Sequence, residues 1–218
     1  MAKYWKINKK LGKLTTKVDE GADGAVEYEH AFGTKWQMES KTLEGKLECF
    51  FIREPDEKGF NKEPELLIGL QDGNGDVNVF TCQTTFLSKA GDTWPTVEFA
   101  YIAKHAGNIN PEHPVKIELF QVEDDDGYTK IYPLIYQGGR KPLPAAIEKD
   151  KMPRAKSIEA GGRKIWDTTK VIEALEGAVR SFSEANKSLF ESRKAERDPT
   201  EAEKLAKVDA KAEEAVPF

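Results

Sequence analysis

Apolar and polar residues alternate with a period of two over six stretches, at about 25–38, 41–53, 65–71, 77–87, 114–122 and 128–136, which predicts six strands. Two turns punctuate them in the way antiparallel pairing requires. Asp72-Gly73-Asn74-Gly75-Asp76 separates two apolar runs with residues that tolerate positive φ, and Asp124-Asp125-Asp126-Gly127 separates the last two strands. Between the strands ending near Leu87 and starting near Pro114, Val97, Tyr101 and Lys104 fall at helical spacing, with Gly107 placed as a C-cap. From Ile165 a second helical period appears, with Val171, Leu175, Ala178, Val179, Phe182, Ala185 and Leu189 on one stripe. Asp198-Pro199-Thr200-Glu201 reads as a further helix start ahead of a segment with few apolar residues.

Three antiparallel strands, a short helix and two more strands are the order of an OB-fold-like antiparallel Greek-key barrel, so a mainly β fold is expected; an open sandwich of the same strands is the alternative. The hairpin strand at 65–71 then extends or precedes the third strand. The pattern predicts a barrel domain over 1–145, a basic linker over 146–164 that is rich in Pro and Gly, an amphipathic helix over 165–196 and a charged tail over 197–218.

Charge changes this picture by where it lies. The 218 residues carry a net charge of −5, yet residues 1–17 hold six lysines and no acid, and residues 138–164 hold eight Lys or Arg against three acids. The acids gather toward the end of the chain. Two cysteines, Cys49 and Cys82, are too few for a disulfide framework and read as buried thiols. No run approaches the roughly 20 apolar residues of a membrane helix, and the charged start MAKYWKINKK has no apolar segment behind it, so neither a membrane span nor a secretory signal is expected.

The last residues, Glu213-Glu214-Ala215-Val216-Pro217-Phe218, combine acids for long-range attraction with a Pro and a Phe that fit an apolar pocket. This ending resembles the tip of single-stranded DNA-binding proteins of bacteria and bacteriophages, with two Glu and an Ala where that family is richer in Asp. A divergent, phage-type member is the better match. The resemblance implies an OB-fold that coats single-stranded DNA in replication, recombination or repair, without enzymatic activity or cofactor, in a bacterial or phage-infected bacterial cytoplasm. It also implies that Glu213, Glu214, Val216, Pro217 and Phe218 recruit replication or repair proteins.

Sequence-independent binding of single strands needs cations along the phosphates and aromatic faces for the bases. In the last strand Tyr128, Lys130, Tyr132 and Tyr136 share one parity and Ile131 and Ile135 the other, which turns the Tyr-Lys face outward, against the alternative of tyrosines packed inside. In the second strand Leu43, Leu47, Cys49 and Phe51 read as core, leaving Lys46 and Phe50 on the other face, as a stacking site or under the C-terminal helix. Lys35 lies opposite Trp36. Either face of the third strand fits a core, so Phe80 and Phe86 stay candidates. Lys3, Tyr4, Trp5 and Lys6 read as a nucleic-acid arm or as a first strand with a basic edge, and Arg140 and Lys141 extend the basic surface or form a plain loop.

Catalytic patterns are weak. His105 and His113 lack a third ligand at metal spacing, the Asp72–Asp76 loop lacks the length and terminal Glu of a calcium loop, and there is no phosphate-binding glycine loop or nucleophile elbow. The competing reading is an oligomeric β-barrel module that binds protein or RNA and pairs through the 165–196 stripe. A metal-dependent nuclease rests only on scattered acids.

Overall fold

The computed structural model describes residues 2–30, 33–56, 62–123, 129–160 and 163–197. The chain forms two units, Met1–Ala185 and Asn186–Phe218. In the first, the strands are β1 (Lys3–Asn8), β2 (Lys13–Val18), β3 (Val26–His30), β4 (Gly33–Ser40), β5 (Thr42–Arg53), β6 (Glu65–Gln71), β7 (Val77–Gln83), β8 (Thr85–Leu87), β9 (Thr93–Pro95), β10 (Val115–Glu123), β11 (Thr129–Tyr136), β12 (Lys156–Ala160) and β13 (Arg163–Asp167). Its helices are α1 (Val97–His105) and α2 (Thr169–Ala185). The second unit contributes α3 (Lys187–Arg197), whose last turn carries Lys194 and Arg197 beside its exposed carbonyls.

The fold is mainly β, as expected, but the sheet is open. Nine strands lie in the order β11-β10-β5-β6-β7-β1-β2-β4-β3, and two short ribbons, β8-β9 and β12-β13, stand apart from it. The expected closed, wholly antiparallel barrel is corrected on both counts: the outer edge of β7 is taken by β1, which runs parallel to it, so β11 has no strand edge there to close upon. The stretch expected as one strand at 25–38 is two, β3 and β4, paired antiparallel. The β6–β7 turn forms as expected. Asp72 accepts backbone hydrogen bonds from Asn74 (2.9 Å) and Asp76 (3.0 Å) and one from the Asn78 side chain (3.1 Å), with Gly75 at φ 86°.

β6 reads Glu-Leu-Leu-Ile-Gly-Leu and is buried along almost its whole length, which suits a central strand covered on both faces. Its neighbour β5 holds a bulge between Leu47 and Cys49. That extra residue reverses the alternation: Leu43 and Leu47 face inward before it, Phe50 and Ile52 after it. Phe50, Ile68, Phe80 and Trp5 are direct neighbours across β5, β6, β7 and β1, and all four are buried. Phe182 of α2 closes over this row with its ring edge-on to Phe50 at 4.9 Å. The Trp5 indole N–H is satisfied by Asn78 Oδ1 at 2.9 Å.

Gly45 of β5 lies directly against the backbone of β6. A Cβ there would lie 2.2 Å from the Gln71 carbonyl oxygen, a backbone atom that cannot rotate away. Gly45→Ala is therefore expected to destabilise the protein by about 1–3 kcal/mol, read as a lowered midpoint in urea with unchanged slope.

Thr96 caps α1, accepting from Phe99 N–H at 3.2 Å. Its end differs from expectation. Ala106 is the C-cap and the chain continues as a short 3-10 turn, Ala106–Asn108, that includes Gly107. The 146–164 segment is tied down at its start, where Ala146 and Ile147 N–H both reach the Lys104 carbonyl (2.7 and 3.1 Å), and it ends in the β12-β13 ribbon. Ile165 pairs with Ile158 in that ribbon, so the helix expected from 165 starts only at Thr169. There Asp167 Oδ1 accepts from Thr169 N–H at 3.0 Å, and the Thr168 carbonyl accepts from Val171 and Ile172. The helix breaks at Asn186, dividing the expected 165–196 element into α2 and α3.

Candidate nucleic-acid interface

Strand register assigns each candidate to a face. Tyr136 neighbours Lys116, which neighbours Glu44; two residues along β5, Lys46 neighbours Gln71, and Gln71 neighbours Val77. Val79, two residues beyond Val77, neighbours Tyr4. Alternation thus sets Lys130, Tyr132, Tyr136, Lys46, Tyr4 and Lys6 on one face, opposite the Trp5–Phe50 row. Lys6 neighbours Thr15 and, through β2 and β4, Lys35 joins the same side.

Three expectations are corrected by burial. Trp5, Phe50 and Phe80 lie in the core and offer no ring face to a base; the bulge in β5 and the two-sided cover of β7 put them there. Lys3 is on the core side, half-exposed, 3.8 Å from Asp76. Phe86 stands on the β8-β9 ribbon, away from the sheet. Arg140 and Lys141 are exposed in the loop after β11. Tyr128 and the tip residues Glu213, Glu214, Val216, Pro217 and Phe218 fall outside the described residues.

The same bulge supplies an aromatic that the sequence reading placed inside. Phe51 faces outward and is 39 % exposed. Phe120, the neighbour of Tyr132 on β10, is 53 % exposed, and Tyr4 49 %. The sign of Phe120's position was present in its shared parity with Lys116 and Glu118. The sign of the bulge was the run Phe50-Phe51-Ile52, which breaks strict alternation.

Cations and acids are interleaved on this face. Lys116 sits 4.5 Å above the Tyr136 ring and 2.7 Å from Glu118, whose hydrogen bond raises the Lys116 pKa and holds it charged. Tyr132 meets Tyr101 of α1 edge-on at 6.1 Å, and burial, with Tyr136 nearby, raises the Tyr101 pKa. Tyr101 also stacks on His105 at 4.2 Å. The His105 Nδ1–H donates to the Tyr101 carbonyl at 2.6 Å, and burial lowers its pKa, so this imidazole is neutral and structural. Among the described residues no cluster of three His, Cys, Asp or Glu is placed to hold a metal ion.

At the N-terminal end the outward face opens into a groove of about 780 Å³ lined by Tyr4, Lys6, Lys17, Tyr28 and Gln37, among others. At the β11 end, His113, Lys116, Tyr136 and Gly138 line a second of about 520 Å³. Between them Glu65, buried, receives Lys6 (3.1 Å) and Arg53 (2.5 Å). Burial works to raise the Glu65 pKa, but the hydrogen bonds from Lys6 and Arg53 outweigh it and hold the carboxyl below its ordinary value.

A lowered carboxyl pKa stabilises the fold above the ordinary glutamate value of 4.5, and that contribution fades as pH falls through the lowered one. Glu65→Gln is accordingly expected to cost about 1–2 kcal/mol near neutral pH, with the gap from the parent protein closing in acid, as thermal melts across pH would record. The same change removes the carboxylate that holds Lys6, so an anionic ligand on this face should bind more tightly.

No family model, curated protein or solved structure matches the chain.

Proposed function

We propose that this protein is a non-enzymatic single-stranded DNA-binding protein that holds its strand along the outward face of the sheet. The observation that carries the reading is the interleaving on that one face: Tyr4, Phe51, Phe120, Tyr132 and Tyr136 present rings, and Lys6, Lys46, Lys130 and Arg53 present cations, without a fixed spacing that would read sequence. The topology supports it. The meander β5-β6-β7, helix α1 and the hairpin β10-β11 returning to β5 follow OB-fold order, with β1 to β4 added at the open edge. Known sites on that fold use the face of its second and third strands, here β6 and β7; Leu67, Val79 and Thr81 on that face are buried, so the exposed rings and cations stand on the flanking strands β1, β5, β10 and β11.

In this reading the protein coats exposed strands during replication, recombination or repair, in the cytoplasm of a bacterial or phage-infected cell. The 213–218 tip then recruits partner proteins. Among the described residues no helix is long and apolar enough to cross a membrane. The competing oligomeric module drew its support from an apolar helical stripe in need of a partner, and Leu175, Val179 and Phe182 of that stripe are buried within the first unit.

Affinity for a labelled oligo-dT should fall linearly with the logarithm of salt concentration. Lys46→Glu should flatten that slope by about 0.7, the share of one phosphate contact on a single strand. A salt-independent affinity would remove the reading, and an unchanged slope would remove Lys46 from the site.

A further inference from the structure

Phe86 is isolated from the sheet face but not from other rings. On the β8-β9 ribbon it is the direct neighbour of Trp94, and Trp94 lies 6.3 Å from Trp166 of β13 with the rings tilted at 56°. Two hydrogen bonds fasten the ribbons at this point: Trp166 N–H donates to buried Asp92 at 3.0 Å, and the Thr168 hydroxyl donates to the Thr93 carbonyl. The row is therefore held by backbone and buried side chains, while its outer rings stay wet, Phe86 at 47 % and Trp166 at 37 % exposure. A cation is already seated on it, Lys164 Nζ being 4.8 Å from the Trp166 ring centre. Lys89 is exposed in the β8–β9 turn; on the other ribbon Glu159 neighbours Lys164 on the Trp166 face, while Lys156 neighbours Asp167 on the opposite face.

We propose that the Phe86–Trp94–Trp166 row with Lys164 is a second contact for single-stranded DNA, separate from the sheet face; the inference rests on the functional reading above. Bases stack on the exposed rings, and Lys164 swings from the Trp166 ring to a phosphate. Charge complementarity selects this occupant: an apolar peptide would leave the lysines unused, and an acidic one would leave the rings without stacking partners.

The test titrates the full chain with labelled oligo-dT of about 8 and about 30 nucleotides, the shorter fitting one site and the longer spanning two. The substitutions Phe86→Ser and Lys164→Glu fall at exposed positions. Each is expected to weaken the longer strand by roughly 5-fold or more and leave the shorter unchanged. Unchanged affinity for the longer strand, or equal loss at both lengths, would overturn a separate second site while the sheet-face reading stands. A parent protein with no preference for single strands would overturn both. Should either variant lose its fold, Trp166→Phe keeps the ring and is expected to reduce the tryptophan quenching caused by the longer strand; undiminished quenching would overturn the proposal.

Discussion

Phe50→Ala is expected to lower the stability of this protein by about 3–5 kcal/mol while leaving the DNA affinity of the folded fraction unchanged. Phe50 is fully buried in the cross-strand row with Ile68, Phe80 and Trp5, and its ring meets Phe182 edge-on at 4.9 Å. Truncation removes the contact that couples β5 to α2 and opens a cavity among rigid neighbours on four strands, where relaxation is limited. Urea unfolding followed by circular dichroism gives the first quantity and strand-binding anisotropy the second. A variant as stable as its parent, with weakened binding, would place Phe50 on the surface and undo the register on which the assignment of faces depends.

The opposite split is expected for the outward rings. Phe51→Ser and Phe120→Ser should each weaken single-strand binding by about 1–3 kcal/mol, a factor of about 5 to about 150, with stability changed by less than about 1 kcal/mol. Phe51 neighbours Phe50 in sequence, so the pair makes a sharp contrast: adjacent aromatic residues, one buried in the core and one exposed on the opposite face. Phe120 adds a second reading at the far end of the same face, beside Tyr132. Anisotropy titration of both variants against the parent checks this, and loss of stability without loss of affinity would contradict it.

Strands β5, β6, β7, β10 and β11 and helix α1 were legible because period-2 alternation, the Asp72–Asp76 turn and the helical spacing of Val97 and Tyr101 are local signals. What escaped was non-local. One extra residue near Glu48 reverses the faces of half of β5, and only the Phe50-Phe51-Ile52 run hints at it. The parallel seat of β1 on β7, which leaves the sheet open, depends on the chain's return over more than seventy residues and has no local signature. In β7 the alternation was ambiguous because Val79, Phe80 and Thr81 are all buried, so no parity separates its faces. The outward set of Tyr132, Tyr136 and Lys130 was readable since Ile131 and Ile135 claim the inner face unambiguously. The Tyr4 and Lys6 half of the N-terminal arm reached the outward face, while Trp5 went to the core, as alternation within β1 requires.

The central claim, that this face holds single-stranded DNA, is tested most directly by competition. Labelled oligo-dT bound to the full chain is challenged with unlabelled single-stranded DNA, duplex DNA and RNA of equal length, at low and at moderate salt. Single-stranded DNA is expected to compete best, by at least about 10-fold over duplex, and all affinities to fall as salt rises. Duplex DNA or RNA competing as well as single-stranded DNA at both salt concentrations would contradict it.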